Sequence, residues 1–397
     1  MLLKSVRIKD FRNISAATLK FGEGLNLITG RNGEGKSNLL EAIGLLATGR
    51  SFRRAASGVM RRHGQGQFRV EAETQAGELT HQIDFCGEAQ GQTVRLNGKT
   101  MAATSALGRA LAAVIFTPET TARLIRGGPR ERRNHLDWII FSRRRGHAAL
   151  VRDYQRALKA RNRLLKGGHI NPTEMSAWEA QLATLGAEIT LWREHHLADL
   201  ADHLLPLLPR LDLAEHRFEL ILSNHLLRSQ QKEAKEVKEA DEEESQVAEL
   251  HSGSEAWQSL RQALQQQALL LLHNSRDNDR RMGTTTIGPH RDDLRFRMDG
   301  HALARYASQG QQKRFALGFK LAEAALVAEG LGEPPLVILD DPASELDRDG
   351  IGHLMALLNE QKGQVFLSTC NAEEIPWPNS TRTTFVVTAG DFKTGLK

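Results

Sequence analysis

The stretch that decides the fold is the octapeptide Gly30-Arg31-Asn32-Gly33-Glu34-Gly35-Lys36-Ser37, which matches the phosphate-binding pattern G-x-x-x-x-G-K-S. It directly follows residues 25–29, an apolar segment that predicts a strand, and a helix is predicted to begin at Lys36. In this setting the glycines let the backbone wrap until its N–H groups face a phosphate, and the helix N-terminus favours an anion. The sequence therefore predicts a nucleotide-binding loop formed by Gly30, Arg31, Asn32, Gly33, Glu34, Gly35, Lys36, Ser37 and Asn38.

A second motif lies near the other end of the chain, where the apolar residues 335–339 are followed by Asp340 and Asp341. A buried strand that ends in two carboxylates is typical of a Walker B motif. A surface acidic turn is the alternative, and the loop upstream favours Walker B. The predicted cofactors are ATP and Mg²⁺, with Mg²⁺ held by Ser37 and Asp340. The predicted catalytic residues are Lys36, on the β- and γ-phosphates, and Asp341, as the base that polarises the attacking water.

The segment Ser308-Gln309-Gly310 resembles the signature of ABC ATPases, in an S-Q-G form rather than S-G-G, and residues 344–347 follow the Walker B motif as a D-loop would. In ABC ATPases the signature of one subunit contacts the γ-phosphate held by the other. A hydroxyl, a backbone N–H and a helix N-terminus would serve that purpose here. A plain helix cap is the alternative, but the order and spacing of the motifs favour nucleotide binding by Ser308, Gln309 and Gly310.

Composition limits the remaining choices. The chain has 397 residues, of which 40% are hydrophobic and 25% charged, and its net charge of +5 permits binding to a polyanion without demonstrating it. Its two cysteines, Cys86 and Cys370, form neither a metal-ligand pattern nor a disulfide framework, which suits a reducing compartment. Without an apolar leader or a span of roughly 18 apolar residues, we expect a cytoplasmic protein that does not enter a membrane.

Strand patterns lie at both ends of the chain and helical patterns between them. We therefore predict an α/β fold: an ABC-type P-loop ATPase head formed from N- and C-terminal parts, with an inserted, mainly α-helical domain. The expected boundaries are 1–120 for the first part, 121–280 for the insertion and 281–397 for the second part. Within the insertion, residues 223–255 are polar and charge-rich, and we expect a mobile segment there.

The segment 123–166 carries 14 Lys and Arg residues against 3 Asp and Glu. Clusters of this kind neutralise nucleic-acid phosphates. No aromatic interleaving pattern in the segment suggests base stacking, which favours recognition of backbone and shape. The alternative is a solvated helix surface with internal ion pairs. The cations in question include Arg126, Arg130, Arg132, Arg133, Arg143, Arg144, Arg145, Arg152, Arg156, Lys159, Arg161 and Arg163.

Three further blocks join these motifs in a fixed order: Phe11-Arg12-Asn13, Gly49–Arg53 and Gly288-Pro289-His290-Arg291-Asp292-Asp293. With them, nearly the whole chain resembles the RecF family. The resemblance implies an ATP-dependent homodimer that binds gapped or junction DNA. It also implies cooperation with RecO and RecR in loading RecA, a role in fork maintenance and SOS induction, and a weak, DNA-stimulated ATPase whose slow turnover drives release from DNA.

Two features depart from related patterns. The charge-rich segment 223–255 has no counterpart expected in the family, and Cys370 lies near the place of a switch histidine in transporter ATPases. His290 is a candidate for another role, although a satisfied structural histidine is the alternative. The segment between Ser37 and Ser308 is too short for the long arms of an SMC protein. Cys370 and the basic insertion argue against a transporter subunit. A nucleotide-switched, SMC-like scaffold with negligible turnover stays open.

Overall fold

The computed structural model describes residues 1–89, 91–101, 107–144, 146–167, 171–224, 226, 254–344, 346–377 and 381–395. The chain forms two compact units. Unit 1 comprises Met1–Arg126, His203–His216 and Ala307–Lys397, and unit 2 comprises Gly127–Asp202 and Arg217–Tyr306. Most of segment 223–255, and with it the expectation of a mobile insertion, lies outside the described residues, as do Arg145 and Glu345.

The strands and helices, numbered in chain order, are as follows. The strands are β1 Leu2–Phe11, β2 Ile14–Lys20, β3 Leu25–Thr29, β4 Gln67–Ala76, β5 Leu79–Glu88, β6 Gln92–Leu96, β7 Lys99–Thr100, β8 Ala113–Phe116, β9 Phe218–Ser223, β10 Asp293–Met298, β11 His301–Ala302, β12 Leu336–Asp340, β13 Val365–Thr369, β14 Arg382–Thr388 and β15 Asp391–Thr394. The helices are α1 Lys36–Thr48, α2 Ser57–Met60, α3 Leu107–Ala110, α4 Pro118–Arg126, α5 Pro129–Arg143, α6 His147–Lys166, α7 Pro172–Leu204, α8 Glu255–Asn274, α9 Arg276–Met282, α10 Leu303–Tyr306, α11 Gln309–Leu331 and α12 Arg348–Glu360.

Unit 1 contains two six-stranded sheets. One has the order β2-β1-β4-β5-β6-β7, and its adjacent strands are antiparallel. The other has the order β15-β14-β3-β13-β12-β8 and is parallel except for its edge strand β15. Because β3 and β12 both run parallel to β13, the segments that follow them, the P-loop and the Asp340-Asp341 pair, emerge at the same edge of the sheet. The predicted α/β head is thus built from both ends of the chain.

Helix α1 begins at Lys36, as predicted, and its apolar face is fully buried through Leu39, Leu40, Ile43 and Leu46. It contacts β12, β13 and β8 of the parallel sheet as well as β1, β4 and β5 of the antiparallel one. A helix that is apolar on more than one side needs a partner on each, which both sheets supply. This packing holds the start of α1, and therefore the P-loop, in a fixed position.

Unit 2 combines the long helices α5 to α8 with the three-stranded sheet β11-β10-β9. Its extent differs from the boundaries 120 and 280 expected from the sequence. The reason is that β10 pairs with β9 along its whole length, from Asp293 opposite Ser223 to Met298 opposite Phe218, which draws residues 281–306 into unit 2. In the other direction, residues 203–216 belong to unit 1, where Leu211 joins the apolar core.

Helix α7 begins at Pro172, and the Asn171 side chain before it accepts hydrogen bonds from the N–H groups of Thr173 and Glu174. Glu174 does not close a capping box; its carboxylate accepts from the indole N–H of Trp178. One apolar stripe of α7 faces the core of unit 2. Leu182 and Ile189 are buried in that core, and three partly buried residues pack against it, namely Trp178, Leu185 and Trp192.

A fully buried ion network joins the helices of unit 2. The Arg161 guanidinium on α6 donates to Asp279 at 2.7 Å, to Thr285 at 2.9 Å and to Glu179 at 3.0 Å. Glu179 also accepts from Arg276, and Asp279 accepts from Ser275 and from both the N–H and the hydroxyl of Thr286. Every carboxylate therefore has several partners, which is the condition under which buried charges are tolerated.

No helix among the described residues is long and apolar enough to cross a membrane.

Candidate functional site

The P-loop wraps closely because its glycines adopt left-handed backbone angles. Gly30 has a φ of 154° and Gly35 a φ of 119°. A Cβ at Gly30 would lie 2.6 Å from the carbonyl oxygen of Val387, and a Cβ at Gly35 would lie 2.9 Å from Oδ1 of Asn13. Both positions are therefore restricted to glycine by backbone angle and by space.

The Lys36 side chain is buried inside this loop. Its Nζ donates to the carbonyl oxygens of Gly30 at 2.7 Å and Arg31 at 3.1 Å, and to Sγ of Cys370 at 3.4 Å. These contacts fold the ammonium group back over the loop at the N-terminus of α1. A phosphate at that helix end would meet the ammonium group together with the backbone N–H groups.

Ser37 and Asp340 meet as the two Walker motifs predict. The Ser37 hydroxyl donates to Oδ1 of Asp340 at 2.7 Å, and the Ser368 hydroxyl donates to the same oxygen at 2.7 Å. Burial raises the pKa of Asp340, and the two hydroxyl donors partly oppose that rise. A hydroxyl and a carboxylate side by side are the hard oxygen ligands that Mg²⁺ prefers, so this pair fits the predicted metal role.

A cavity of about 250 Å³ lies over the loop, lined by Asn32, Gly33, Gly35, Lys36, Ser37, Asn38, Arg53, Asp341 and Ser368. It brings the predicted base Asp341 to the same space as Lys36. Asp341 has a φ of 51°, and its N–H donates to the Ser368 hydroxyl at 2.9 Å. Gly30, Arg31 and Glu34 are not among the lining residues. The phosphate-binding loop, Ser37 and the carboxylate Asp341 therefore line one cavity, while Asp340 lies outside the lining and is hydrogen-bonded to Ser37. This arrangement fits ATP with Mg²⁺.

Two residues of this cavity were absent from the residues predicted for the site, Arg53 and Ser368. Arg53 donates to Oδ1 of Asn38 at 3.0 Å, and its guanidinium is 4.0 Å from Oδ2 of Asp340. In the sequence, Arg53 belongs to the Gly49–Arg53 block that contributes to the family resemblance. That block does not indicate which residues Arg53 contacts. Ser368 is the last but one residue of the buried strand β13, and only the pairing of β13 beside β12 brings it to Asp340.

The Phe11-Arg12-Asn13 block contacts the P-loop and helix α1. Arg12 forms a two-pronged ion pair with the fully buried Glu41 of α1, with N···O distances of 3.0 and 2.8 Å. Asn13 donates to the carbonyl oxygen of Glu34 at 3.0 Å and accepts from the amide of Asn38 at 2.8 Å. These contacts connect the segment after β1 to the second half of the P-loop and to α1, so the block acts on nucleotide binding by positioning.

The turn between β14 and β15 also forms hydrogen bonds with the P-loop. Gly390 N–H donates to the Glu34 carbonyl oxygen at 2.8 Å, and Ala389 N–H donates to the Glu34 carboxylate. The Glu34 side chain, predicted as part of the nucleotide site, is thus engaged by the protein backbone.

The signature segment stands apart from this cavity. Ser308 caps α11 in a capping box with Gln311, accepting from its N–H at 3.2 Å while donating its own N–H to the Gln311 side chain at 2.8 Å. Gln309 and Gly310 are exposed, and neither they nor Ser308 line the P-loop cavity. Helix α11 is tied to the end of the D-loop segment by Arg314, which donates to Asp347 at 2.8 Å.

Cys370 lies near the position at which transporter ATPases have a switch histidine. Its Sγ contacts Nζ of Lys36 and donates to Oδ1 of Asn32 at 3.0 Å. The thiol therefore packs against the phosphate-binding loop, and it cannot supply the charged imidazole that such a histidine would.

His290 is a structural residue of unit 2. Its Nε2 lies 3.0 Å from the carbonyl oxygen of Thr285, and its Nδ1 lies 2.7 Å from the hydroxyl of Tyr154. Burial lowers the pKa of His290 to about 4, so the ring is neutral at pH 7, donating from Nε2 and accepting at Nδ1. The residues beside His290 are also held by contacts inside unit 2. Arg193 donates to the Pro289 carbonyl oxygen at 2.7 Å and to Asp292 at 3.0 Å.

The fold and this site define a P-loop ATPase head of the ABC type. A family model described as the RecF/RecN/SMC N terminal domain matches residues 2–389. A protein of Magnetococcus marinus named DNA replication and repair protein RecF is 50% identical over 397 residues, covering 99% of this chain and 97% of that protein. A protein of the same name from Geotalea uraniireducens is 30% identical over 391 residues, with coverage of 98% and 99%. The chain belongs to the RecF family.

Solved structures agree with this assignment. The structure described as the recombination mediator protein RecF with ATP in the RecFOR pathway matches with a TM-score of 0.81 at 28% identity, covering 99% of this chain and 97% of that one. An Smc head bound to the C-winged helix domain of ScpA matches with a TM-score of 0.55 at 13% identity, covering 100% and 97%. The second likeness shows a shared fold alone.

Proposed function

We propose that this protein binds ATP with Mg²⁺, forms an ATP-dependent homodimer, and in that state binds gapped or junction DNA in the cytoplasm during recombinational repair and fork maintenance. One observation carries the proposal: the residues for holding and cleaving a nucleotide share one cavity, while the signature that should complete it lies outside that cavity on the same chain. The names of the relatives, which refer to DNA replication and repair and to the RecFOR pathway, support a role in that pathway. Our proposal also includes cooperation with RecO and RecR in loading RecA, and support of SOS induction, as the family resemblance implies.

Within one copy, Lys36 and the loop N–H groups would bind the β- and γ-phosphates, and Ser37 and Asp340 would hold Mg²⁺. Mg²⁺, when bound, neutralises charge on the phosphates. Asp341 would accept a proton from the attacking water, and the Ser368 hydroxyl that accepts from its N–H helps fix its position. We propose a weak, DNA-stimulated ATPase whose slow turnover drives release from DNA, and the common cavity of Lys36 and Asp341 supports hydrolysis over a scaffold without turnover.

Gly310 offers a test of the shared site. A Cβ added there meets only Oγ of Ser308 at 3.9 Å, and alanine is the better helix former, so the Gly310→Ala monomer should be as stable as the wild type. A methyl group would, however, obstruct a phosphate of a second copy approaching the Gly310 N–H. We expect ATP-dependent self-association to weaken about tenfold or more, as measured by sedimentation, while ATP binding to the monomer is kept.

The matched control is Gly66→Ala, since a Cβ at Gly66 meets nothing within 4 Å. It should self-associate like the wild type. Unchanged self-association of Gly310→Ala would show that the signature does not face a second copy.

An exposed basic stripe on α6 supports DNA binding. Arg152, Arg156, Lys159, Arg163 and Lys166 follow at spacings of four and three residues, which places them on one face of the helix, and all five are exposed. The stripe extends for about 21 Å at 1.5 Å per residue. Other cations of the basic segment form ion pairs inside unit 2, among them Arg132 and Arg161. Internal ion pairs therefore account for those cations, and within the stripe Arg156 lies 3.4 Å from Asp153. The exposed stripe is the part of the segment that we propose to contact DNA.

Replacing Arg156, Lys159 and Arg163 together by alanine should weaken binding to gapped duplex DNA. Each lost phosphate contact should lower the slope of log affinity against log salt by about 0.9. Fluorescence anisotropy across a salt series measures that slope. The matched variant Arg156→Lys with Arg163→Lys keeps the charge and should keep the slope. An unchanged slope in the alanine variant would remove α6 from the DNA surface.

The whole proposal is tested by anisotropy with a gapped duplex in ATP, in ADP and without nucleotide. We expect DNA affinity about tenfold or more higher with ATP than with ADP, and a fall in affinity as salt rises. Equal affinity under all three conditions would contradict an ATP-controlled DNA-binding protein.

A further inference from the structure

A second, larger cavity lies within unit 2, remote in sequence from the P-loop. Its volume is about 760 Å³, within the range of roughly 300–1,000 Å³ found for small-molecule sites. Helices α5, α7 and α8 contribute its lining. The residues that matter for its chemistry are Arg143, Arg144, Glu188, Trp192, Trp257 and Arg261.

An aromatic and cationic group forms one part of the lining. The rings of Trp192 on α7 and Trp257 on α8 have their centroids 4.7 Å apart at an angle of 52°. The Arg144 guanidinium lies over the Trp192 ring, 4.2 Å from its centroid, and the Arg144 side chain is 36% exposed. An arginine held over an indole presents a planar cation, and both groups are surfaces on which nucleic-acid bases stack.

Glu188 positions these groups. Its carboxylate accepts from the Trp192 indole N–H at 2.9 Å and from Arg144 at 2.8 Å, and it lies 3.6 Å from Arg261. The cation–π contact is therefore held from both sides by one carboxylate. Such preorganisation lowers the entropy lost when a ligand binds.

The charge around the cavity is positive. Three guanidinium groups, of Arg143, Arg144 and Arg261, face the single carboxylate of Glu188 in the lining, and Arg143 also pairs with Asp199 at 2.6 Å. The lining thus holds more guanidinium groups than carboxylates, and the Arg261 side chain is 43% exposed. A ligand that is flat at one end and anionic at the other matches this arrangement.

We propose that this cavity binds an unpaired nucleotide of single-stranded DNA, with the base stacked on the Arg144 guanidinium that lies over Trp192, and with the phosphate near Arg143 and Arg261. The inference rests on the proposed DNA binding and adds to it a site for the unpaired part of a gap or junction. The basic segment 123–166 contains Trp138, Phe141 and Tyr154, but none of them lines this cavity. Its aromatic rings come from α7 and α8, and of these Trp257 is buried. An acidic peptide would use the arginines without needing the flat aromatic surface, so the geometry favours the nucleotide.

The first test uses the full-length wild-type chain and two probes of equal length, oligo-dT and a strand whose sugar–phosphate backbone carries no bases. Base stacking on aromatic groups strengthens binding by roughly 5- to 150-fold per base. We therefore expect oligo-dT to bind at least about fivefold more tightly than the abasic strand. Equal affinity for the two strands, with duplex binding intact, overturns the inference and leaves the proposed function standing. Loss of binding to the duplex as well would count against the proposed function.

The second test assigns the effect to the cavity. Trp192→Leu should remove the preference for oligo-dT over the abasic strand, whereas Trp192→Phe should retain most of it. Trp178→Leu is the matched control, because Trp178 lies on the same helix and packs on the same core but does not line the cavity. A full preference in Trp192→Leu overturns the inference. The inference is also overturned if an acidic peptide occupies this cavity and oligo-dT does not.

Discussion

Replacing Lys36 with methionine is expected to weaken ATP binding about a hundredfold. The Lys36 ammonium group is buried in the loop, where it donates to two P-loop carbonyl groups and lies at the start of α1. On binding it would exchange these neutral acceptors for phosphate oxygens, and hydrogen bonds to charged groups contribute about 1.5–3 kcal/mol each. At the lower end of that range, which suits an exchange of existing bonds for stronger ones, two such bonds correspond to about two orders of magnitude in affinity. Methionine fills a similar volume but donates no hydrogen bond.

Equilibrium binding of a fluorescent ATP analogue measures this loss. Lys99→Met is the control, because Lys99 is exposed in a hairpin of the same unit. It should bind ATP like the wild type, and neither variant should lose its folded structure at room temperature. If Lys36→Met bound ATP normally, the assignment of the P-loop would be wrong.

Replacing Arg161 with methionine is expected to cost unit 2 about 3–5 kcal/mol of stability. The Arg161 side chain is fully buried and donates to Glu179, Asp279, Thr285 and the carbonyl oxygen of Leu272. Removing the guanidinium leaves two buried carboxylates without their central partner, which costs more than the pair itself contributes.

Thermal unfolding monitored by circular dichroism should show a melting transition lowered by roughly 10 °C for a unit of this size. Arg163→Met is the matched control, because Arg163 lies two residues further along α6 and is exposed. Its transition should stay within a degree or two of the wild type. Equal melting temperatures for the two variants would show that the buried ion network of Arg161 does not stabilise unit 2.

The nucleotide site was largely predictable because its chemistry is local in sequence. A P-loop is a run of eight residues between a strand and a helix, and Asp340 follows a strand whose apolar pattern is unmistakable. Residues reached only through sheet pairing were not predictable in this way. Ser368 lies near Asp340 because β13 pairs with β12, and Ala389 contacts Glu34 because β14 pairs with β3.

The basic segment shows a different limit. Its composition alone did not separate Arg161, which is fully buried, from Arg163, which is exposed. Helical spacing separates them only when the buried face is known, and that face is set by contacts with residues more than 100 positions away, such as Asp279 and Thr285. The association of Trp192 with Trp257 was hidden for the same reason.

The central claim is that one copy of the chain holds a nucleotide and a second copy completes its site. Mixing Lys36→Met with Gly310→Ala tests it most directly, since the mixed dimer combines one intact P-loop with one intact signature across the same interface. Sedimentation with ATP and Mg²⁺ should show each variant alone as a monomer, the mixture as a dimer, and the wild type as a dimer that dissociates in ADP. A mixture that stays monomeric while the wild type dimerises, or a Lys36→Met variant that dimerises alone, would contradict the claim.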